Sequence, residues 1–147
     1  MEIHIKKYNE LTADELYEIL KLRSEVFVVE QNCIYQDLDD KDKRAYHVWI
    51  TDETGIVACA RVLERGVSYD DAVSIGRVVS KRRGEGLGAA VMETAVNTAR
   101  EKYGALPIII SAQQYAVPFY ERFGFVAVSE PYLEDNIPHV KMIRGIN

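Results

Sequence analysis

The run Lys81-Arg82-Arg83-Gly84-Glu85-Gly86-Leu87-Gly88 places three cations directly before three alternate glycines. Glycines so spaced let backbone N–H groups turn toward one point, and a helix starting there adds partial positive charge. The product is an anion cradle suited to a pyrophosphate. No Gly-Lys-Ser/Thr follows, so it is not a Walker loop, and the G-x-G-x-G spacing departs from the dinucleotide fingerprint. A tight strand–helix connection with solvated charges is the plainer alternative. A second group is His139, which follows Ile137-Pro138. The proline stiffens the approach to a strand and can aim the ring. An imidazole with a pKa of ~6.5 can accept a proton near pH 7, although a strand-edge histidine bonded to backbone fits equally.

Two arginines stand out by pattern. Leu16, Ile19, Leu20, Arg23, Val26 and Phe27 form one stripe at helical spacing. Val73, Ile75, Arg77 and Val79 share one side of a strand by alternation. A guanidinium on an apolar face needs a partner. A bound molecule's acidic group would serve; so would a buried ion pair, with Glu25, Glu30 or Glu64 as mates. If Arg23 and Arg77 converge on a cleft, the expected ligand is a molecule bearing an acidic group.

These groups need a scaffold, and the chain order supplies one. Ile3 to Tyr8 reads as a strand, and Thr12-Ala13-Asp14-Glu15 as a capping box opening a helix to about Val28. The polar run Asp37 to Arg44 reads as a solvated, mobile segment bordering the cleft. His47 to Thr51 and Ile56 to Leu63 flank the hairpin signature Asp52-Glu53-Thr54-Gly55. Ala72 to Ser80 is a fourth strand, followed by the glycine turn and a helix from Ala89 to Tyr103. Leu106 to Ser111 reads as a doubly covered strand, Val117 to Phe123 as a short helix after Pro118, and Phe125 to Ser129 and His139 to Arg144 as closing strands. The expected class is α/β (α+β), a mixed sheet of six to seven strands flanked by helices, in one domain over residues 1–147.

Composition narrows the possibilities. The 147 residues include 18 Lys plus Arg and 23 Asp plus Glu, a formal charge of −5, with 48% hydrophobic and 28% charged residues. That is a globular mixture able to bury roughly 70% of its unfolded surface. A pI near 5.2 argues against nucleic acid as a partner, though not against one local basic site. Two cysteines, Cys33 and Cys59, fit a reducing compartment. No apolar run approaches the ~20 residues of a membrane span, and no signal peptide is evident. A soluble cytoplasmic protein is expected. Cysteines and histidines show no zinc-ligand spacing, so no metal is expected. No nucleophile elbow appears, which disfavours a covalent intermediate on Ser or Cys.

Arg83-Gly84-Glu85-Gly86-Leu87-Gly88 resembles the Arg/Gln-x-x-Gly-x-Gly/Ala signature of the GNAT acyl-CoA N-acyltransferases, between fourth strand and following helix. Ala116-Val117-Pro118-Phe119-Tyr120-Glu121-Arg122-Phe123-Gly124-Phe125 is similar to the family's A-x-x-F-Y-x-x-x-G-F segment, and the likeness covers essentially the whole chain. Phe27-Val28-Val29-Glu30-Gln31-Asn32 and Ile137-Pro138-His139 resemble the ElaA-like subgroup. One departure is that Lys81-Arg82-Arg83 is more basic than the signature requires.

The resemblance implies a GNAT fold splayed between strands 4 and 5, with acetyl-CoA as co-substrate. It implies that Arg82, Arg83, Gly84, Glu85, Gly86, Leu87 and Gly88 meet the pyrophosphate. The pantetheine arm would lie between Val78-Val79-Ser80 and Ile110-Ser111-Ala112, beside Phe119 and Tyr120. A backbone N–H near Val79 would hold the developing oxyanion. Tyr120, with a pKa of ~10, would protonate a leaving thiolate of pKa ~8.5. His139 is the implied base, with His47 and Glu30 as competitors. Arg23, Glu30, Gln31 and Arg77 are the candidate acceptor contacts. The implied reaction is direct attack by a small amine in a ternary complex. A protein or peptide acceptor, a non-catalytic CoA-binding module and an ATP-binding protein stay open, as does a homodimer.

Overall fold

The computed structural model describes residues 1–145. Eight strands form one sheet in the order β1-β2-β3-β4-β5-β8-β6, with β7 also pairing β8. They span Glu2–Lys7 (β1), Ala45–Asp52 (β2), Gly55–Leu63 (β3), Val73–Ser80 (β4), Ile108–Gln113 (β5), Val126–Ala127 (β6), Tyr132–Glu134 (β7) and Ile137–Arg144 (β8). The α-helices are Ala13–Arg23 (α1), Leu87–Tyr103 (α2) and Val117–Glu121 (α3). The mixed α/β class therefore holds, with one strand beyond the expected range. The additional strand is β7, joined to β8 by Asp135-Asn136, whose φ values of 51° and 63° are those of a two-residue hairpin turn.

α1 opens on the expected capping box, with the Glu15 N–H donating to Thr12 Oγ1 at 3.1 Å and the Thr12 N–H to Glu15 Oε1 at 2.9 Å. It does not continue as an α-helix to Val28. From Ser24 to Glu30 the chain widens into a π-helical stretch, which ends at Gln31 before left-handed Asn32. Both sheet faces are covered. α2 buries Val91, Met92, Ala95 and Val96 against Val48, Val62, Ile75 and Ile110, while α1 buries Ile19 and Leu22 against Trp49, Cys59 and Val79. Among the described residues no helix is long and apolar enough to cross a membrane.

Two irregularities in β4 shape the site. β4 and β5 pair in parallel only at Val73↔Ile108 and Ser74↔Ile109, and beyond that point they separate. The ladder with β3 matches Arg61 to Gly76 and Cys59 to Val79, so three steps along β4 face two along β3. This is a β-bulge, and it holds Arg77 at φ +49°. The expected alternation fails there. Val73 and Ile75 pack on the α2 face, whereas Val79 packs on the α1 face. The extra residue flips the parity of everything after it.

Candidate active site

The splay opens into a cleft of about 410 Å³. Five of the candidate residues, Gln31, Arg77, Val78, Tyr120 and His139, line it. Past Ser74 the edge of β4 that faces β5 carries no ladder bonds, so its N–H and C=O groups are available to an extended amide chain. That is the chemistry a pantetheine arm presents. The glycine turn lies at the end of the same strand. Gly84 and Gly86 take left-handed φ values of 81° and 75°, and Gly86 caps α2 without any side-chain cap. The first N–H groups of α2 therefore have no intrahelical acceptor. A Cβ placed on Gly88 would lie 3.8 Å from the Phe119 ring and 4.0 Å from Ser80 Cβ, which brings turn, strand end and α3 together. The residues fit a CoA pyrophosphate and arm.

Tyr120 packs edge-on to Phe119, with ring centroids 5.1 Å apart, and to Phe125 at 6.3 Å. Burial, helped by neighbouring Tyr115, pushes its hydroxyl well above the usual phenol range. A proton held that firmly stays on the oxygen at neutral pH, which leaves Tyr120 a hydrogen-bond donor at the cleft wall.

His139 is buried, with its side chain in the cleft wall. Its Nδ1 lies 2.7 Å from the Ile137 carbonyl oxygen, an acceptor only, so Nδ1 carries the proton and donates. In the neutral ring Nε2 then holds the lone pair. Nε2 lies 3.4 Å from Glu134 Oε2, and the Tyr132 ring stacks on the imidazole at 6.2 Å. Glu134 Oε1 also accepts from Ser111 Oγ at 3.1 Å. The constellation is an imidazole whose Nδ1 is oriented by backbone and whose Nε2 faces a carboxylate.

The competing bases fall outside it. His47 is buried, its Nε2 lies 2.9 Å from the Asp42 carbonyl oxygen, and burial lowers its pKa. Glu30 is exposed at the end of the π-helical stretch and does not line the cleft. Gln31 does, exchanging amide hydrogen bonds of 3.2 and 3.3 Å with Gln113. Ala112, Leu87 and Val79 have buried side chains, so only their backbones can face a cofactor. Arg82 pairs with Asp52 at 2.7 Å and Glu85 at 2.9 Å, tying the turn to the β2–β3 hairpin. Lys81 and Arg83 are exposed beside the glycines and form no ion pair among the described residues.

The arginines require a correction. Arg23 is 1% exposed and spends its donors on the chain's own carboxylates: Nε to Asp37 at 3.0 Å, and Nη1 and Nη2 to Asp42 at 2.7 and 3.2 Å. Arg61 binds Asp39 at 2.7 and 2.8 Å and Asp42 at 3.1 Å. Arg77 donates to Asp37 Oδ1 at 2.7 Å. The buried-pair alternative holds for Arg23, but with Asp37 and Asp42 rather than Glu25, Glu30 or Glu64; Glu64 instead meets Arg44 at 2.6 Å. Three guanidiniums face three carboxylates, so this network leaves no net charge for a substrate acid. The run Asp37 to Arg44 is likewise not a free solvated loop, since it supplies all three carboxylates. It does border the cleft, through Asp39 and Lys41.

Glu134 and the aspartates were not among the expected site residues. The Asp135-Asn136 pair was the one available signal for the hairpin that carries Glu134. The aspartates' alternating spacing at 37 and 39 resembles any acidic loop.

The fold and this cleft define an acyl-CoA-dependent acyltransferase. The chain belongs to the GNAT acetyltransferase family: the family model described as an acetyltransferase (GNAT) domain matches residues 8–145. It is similar to Protein ElaA of Escherichia coli strain K12, 40% identical over 145 residues, covering 95% of this chain and 93% of that one. Its structure is similar to that of an acyl-CoA N-acyltransferase from Pseudomonas aeruginosa, with a TM-score of 0.91 and 41% identity over 99% of this chain and 100% of the other. Escherichia coli ElaA gives a TM-score of 0.90 at 37% identity, covering 97% and 98%.

Proposed function

We propose that this protein transfers the acetyl group of acetyl-CoA to the primary amine of a small molecule by direct attack within one cleft. The thioester supplies an activated carbonyl and a sulfur leaving group. The observation that carries the reading is that Tyr120 and His139 line the same cavity, which opens on the unladdered edge of β4.

His139 Nε2 takes a proton from the acceptor ammonium, and the Glu134 carboxylate at 3.4 Å stabilises the resulting imidazolium. The amine nitrogen then bonds to the carbonyl carbon and the carbon–sulfur bond breaks. Backbone N–H groups at the β4 bulge, Val78 and Val79, stabilise charge on the carbonyl oxygen. The second proton of the attacking nitrogen passes through the Tyr120 hydroxyl to the sulfur, so that CoA leaves as a thiol with the phenol restored, and His139 returns its proton to solvent. Gly84 to Gly88, with Lys81 and Arg83, hold the pyrophosphate. Cys59 takes no part; burial pushes its thiol up to about 12, and it packs with α1.

Tyr120→Phe tests the assignment. Acetyl-CoA binding, measured by calorimetry, should persist while amine-dependent CoA release falls by roughly 10²-fold or more. Unchanged turnover would remove Tyr120 from the chemistry.

A further inference from the structure

We propose that Lys41 and Lys141 form the acid-binding end of the acceptor cleft, so that the acceptor is an amine bearing a carboxylate or comparable anionic group; this rests on the acyl-transfer reading above. With the three arginines balanced by the chain's own aspartates, the remaining cations of this region decide its preference. Lys41 is half-buried, lines the cleft, and donates from Nζ to Ser68 Oγ at 2.9 Å. Lys141 is half-buried on β8 and holds its Nζ 5.4 Å from the Tyr69 ring centroid. Neither ammonium has a carboxylate partner among the described residues.

Ser68 and Tyr69 are consecutive and both line the cleft; Lys41 lines it too, whereas Lys141 stands behind the Tyr69 ring, so the two lysines reach neighbouring residues from different elements. Lys41 comes from the turn before β2, and Lys141 from β8. A half-buried ammonium without an anion is unfavourable, and two converging on hydroxyl-bearing neighbours favour an anion between them. The Tyr69 hydroxyl adds a donor: burial, then Tyr132 and Glu134, push it upward, so it keeps its proton.

The same relation locates this end beside the base. Lys141 lies two residues from His139, and residues so spaced share one face of a strand. Glu134 and Asp135 also line the cleft; Glu134 lies beside the imidazole and accepts from Ser111, the residue paired with Lys141 across β5 and β8. An acceptor with its ammonium at Glu134 and His139 and its acid at Lys41 and Lys141 matches both charges. The arginines become supports of the wall, and selectivity for acidity passes to the lysines.

The test uses the full chain, acetyl-CoA, and three matched acceptor sets: L-amino acids, their carboxamides, and alkylamines of equal length. CoA release gives KM and kcat, and calorimetry on the CoA complex gives acceptor binding without turnover. Acids should be preferred over carboxamides by about 10- to 100-fold, the range for a hydrogen bond to a charged group. Lys41→Met and Lys141→Met should each collapse that acid-to-amide ratio toward one, and Lys41→Arg should retain it. The ratio is insensitive to partial loss of folded enzyme. Equal use of acids and carboxamides, or a ratio unmoved by both substitutions, overturns the proposal. If acetyl-CoA binds but no acceptor turns over, the acyl-transfer reading fails. The lysine site is then still decided by calorimetry: acid binding lost in the double variant supports it, and no acid binding to the wild type overturns it.

Discussion

Asp42→Asn is the sharpest perturbation of the buried network. Asp42 Oδ1 accepts from Arg23 at 2.7 Å and from Arg61 at 3.1 Å, and Oδ2 accepts from Arg23 at 3.2 Å. The carboxylate is 7% exposed and its two guanidinium partners 1% and 5%. An amide in its place turns an NH₂ toward a guanidinium and leaves two buried cations short of one charge. Removing one member of a buried ion pair costs about 3–5 kcal/mol. Arg23 keeps Asp37 and Arg61 keeps Asp39, so the expected loss is at the lower end, about 3 kcal/mol. Urea unfolding followed by Trp49 fluorescence measures it. Glu64→Gln, which removes an exposed partner of Arg44, is the comparator and should cost under about 1 kcal/mol.

The pH dependence gives an independent check. Burial alone would raise the Asp42 carboxyl, but the Arg23 and Arg61 guanidiniums outweigh it and hold the group below the ordinary range. A depressed folded pKa means stability is fully present above the unfolded value of ~3.9 and is lost as pH falls through the folded value. The gap between wild type and Asp42→Asn should therefore be constant near neutrality and narrow below about pH 4. A loss under about 1 kcal/mol at pH 7, or a gap that does not narrow in acid, would refute the network account.

Glu134→Gln should lower kcat by about tenfold with acetyl-CoA affinity retained, because the partly exposed carboxylate stabilises the imidazolium only once the proton has moved. Steady-state rates against both substrates check this. Gly86→Ala should cost about 1–2 kcal/mol, since alanine is strained at φ +75° even though nothing lies within 4 Å, and should weaken acetyl-CoA binding. Gly88→Ala, whose added Cβ meets only ordinary contacts at 3.8 and 4.0 Å, should be tolerated in both thermal melts and calorimetry.

Local chemistry made much of this legible in the sequence. The Thr12–Glu15 capping box, the glycine turn before α2 and the apolar run of β5 each signal through residues adjacent in the chain. Ile137-Pro138-His139 placed its ring in the cleft for a similar reason. The misreadings share a different cause. Strict alternation puts Arg77 with the apolar set, and the bulge that breaks alternation depends on pairing with β3, sixteen residues away at Arg61. For Arg23 the sequence offers Glu25, Glu30 and Glu64 alike, whereas its partners, fourteen and nineteen residues on, meet it only through the fold of the Asp37 to Arg44 segment. Glu134 gains its meaning from a β7–β8 hairpin only three residues long on one side. Long-range pairing, not residue type, separated the aspartates that build the wall from those that face water.

The central claim is that one cleft brings a CoA thioester and an amine together. Its most direct measurement is CoA release from acetyl-CoA over an amine panel, with the products identified by mass. Amine-dependent release matched by one N-acetylated product per CoA is the predicted result. Acetyl-CoA binding with no acetylated amine from any member of the panel would contradict the account and leave a CoA-binding module.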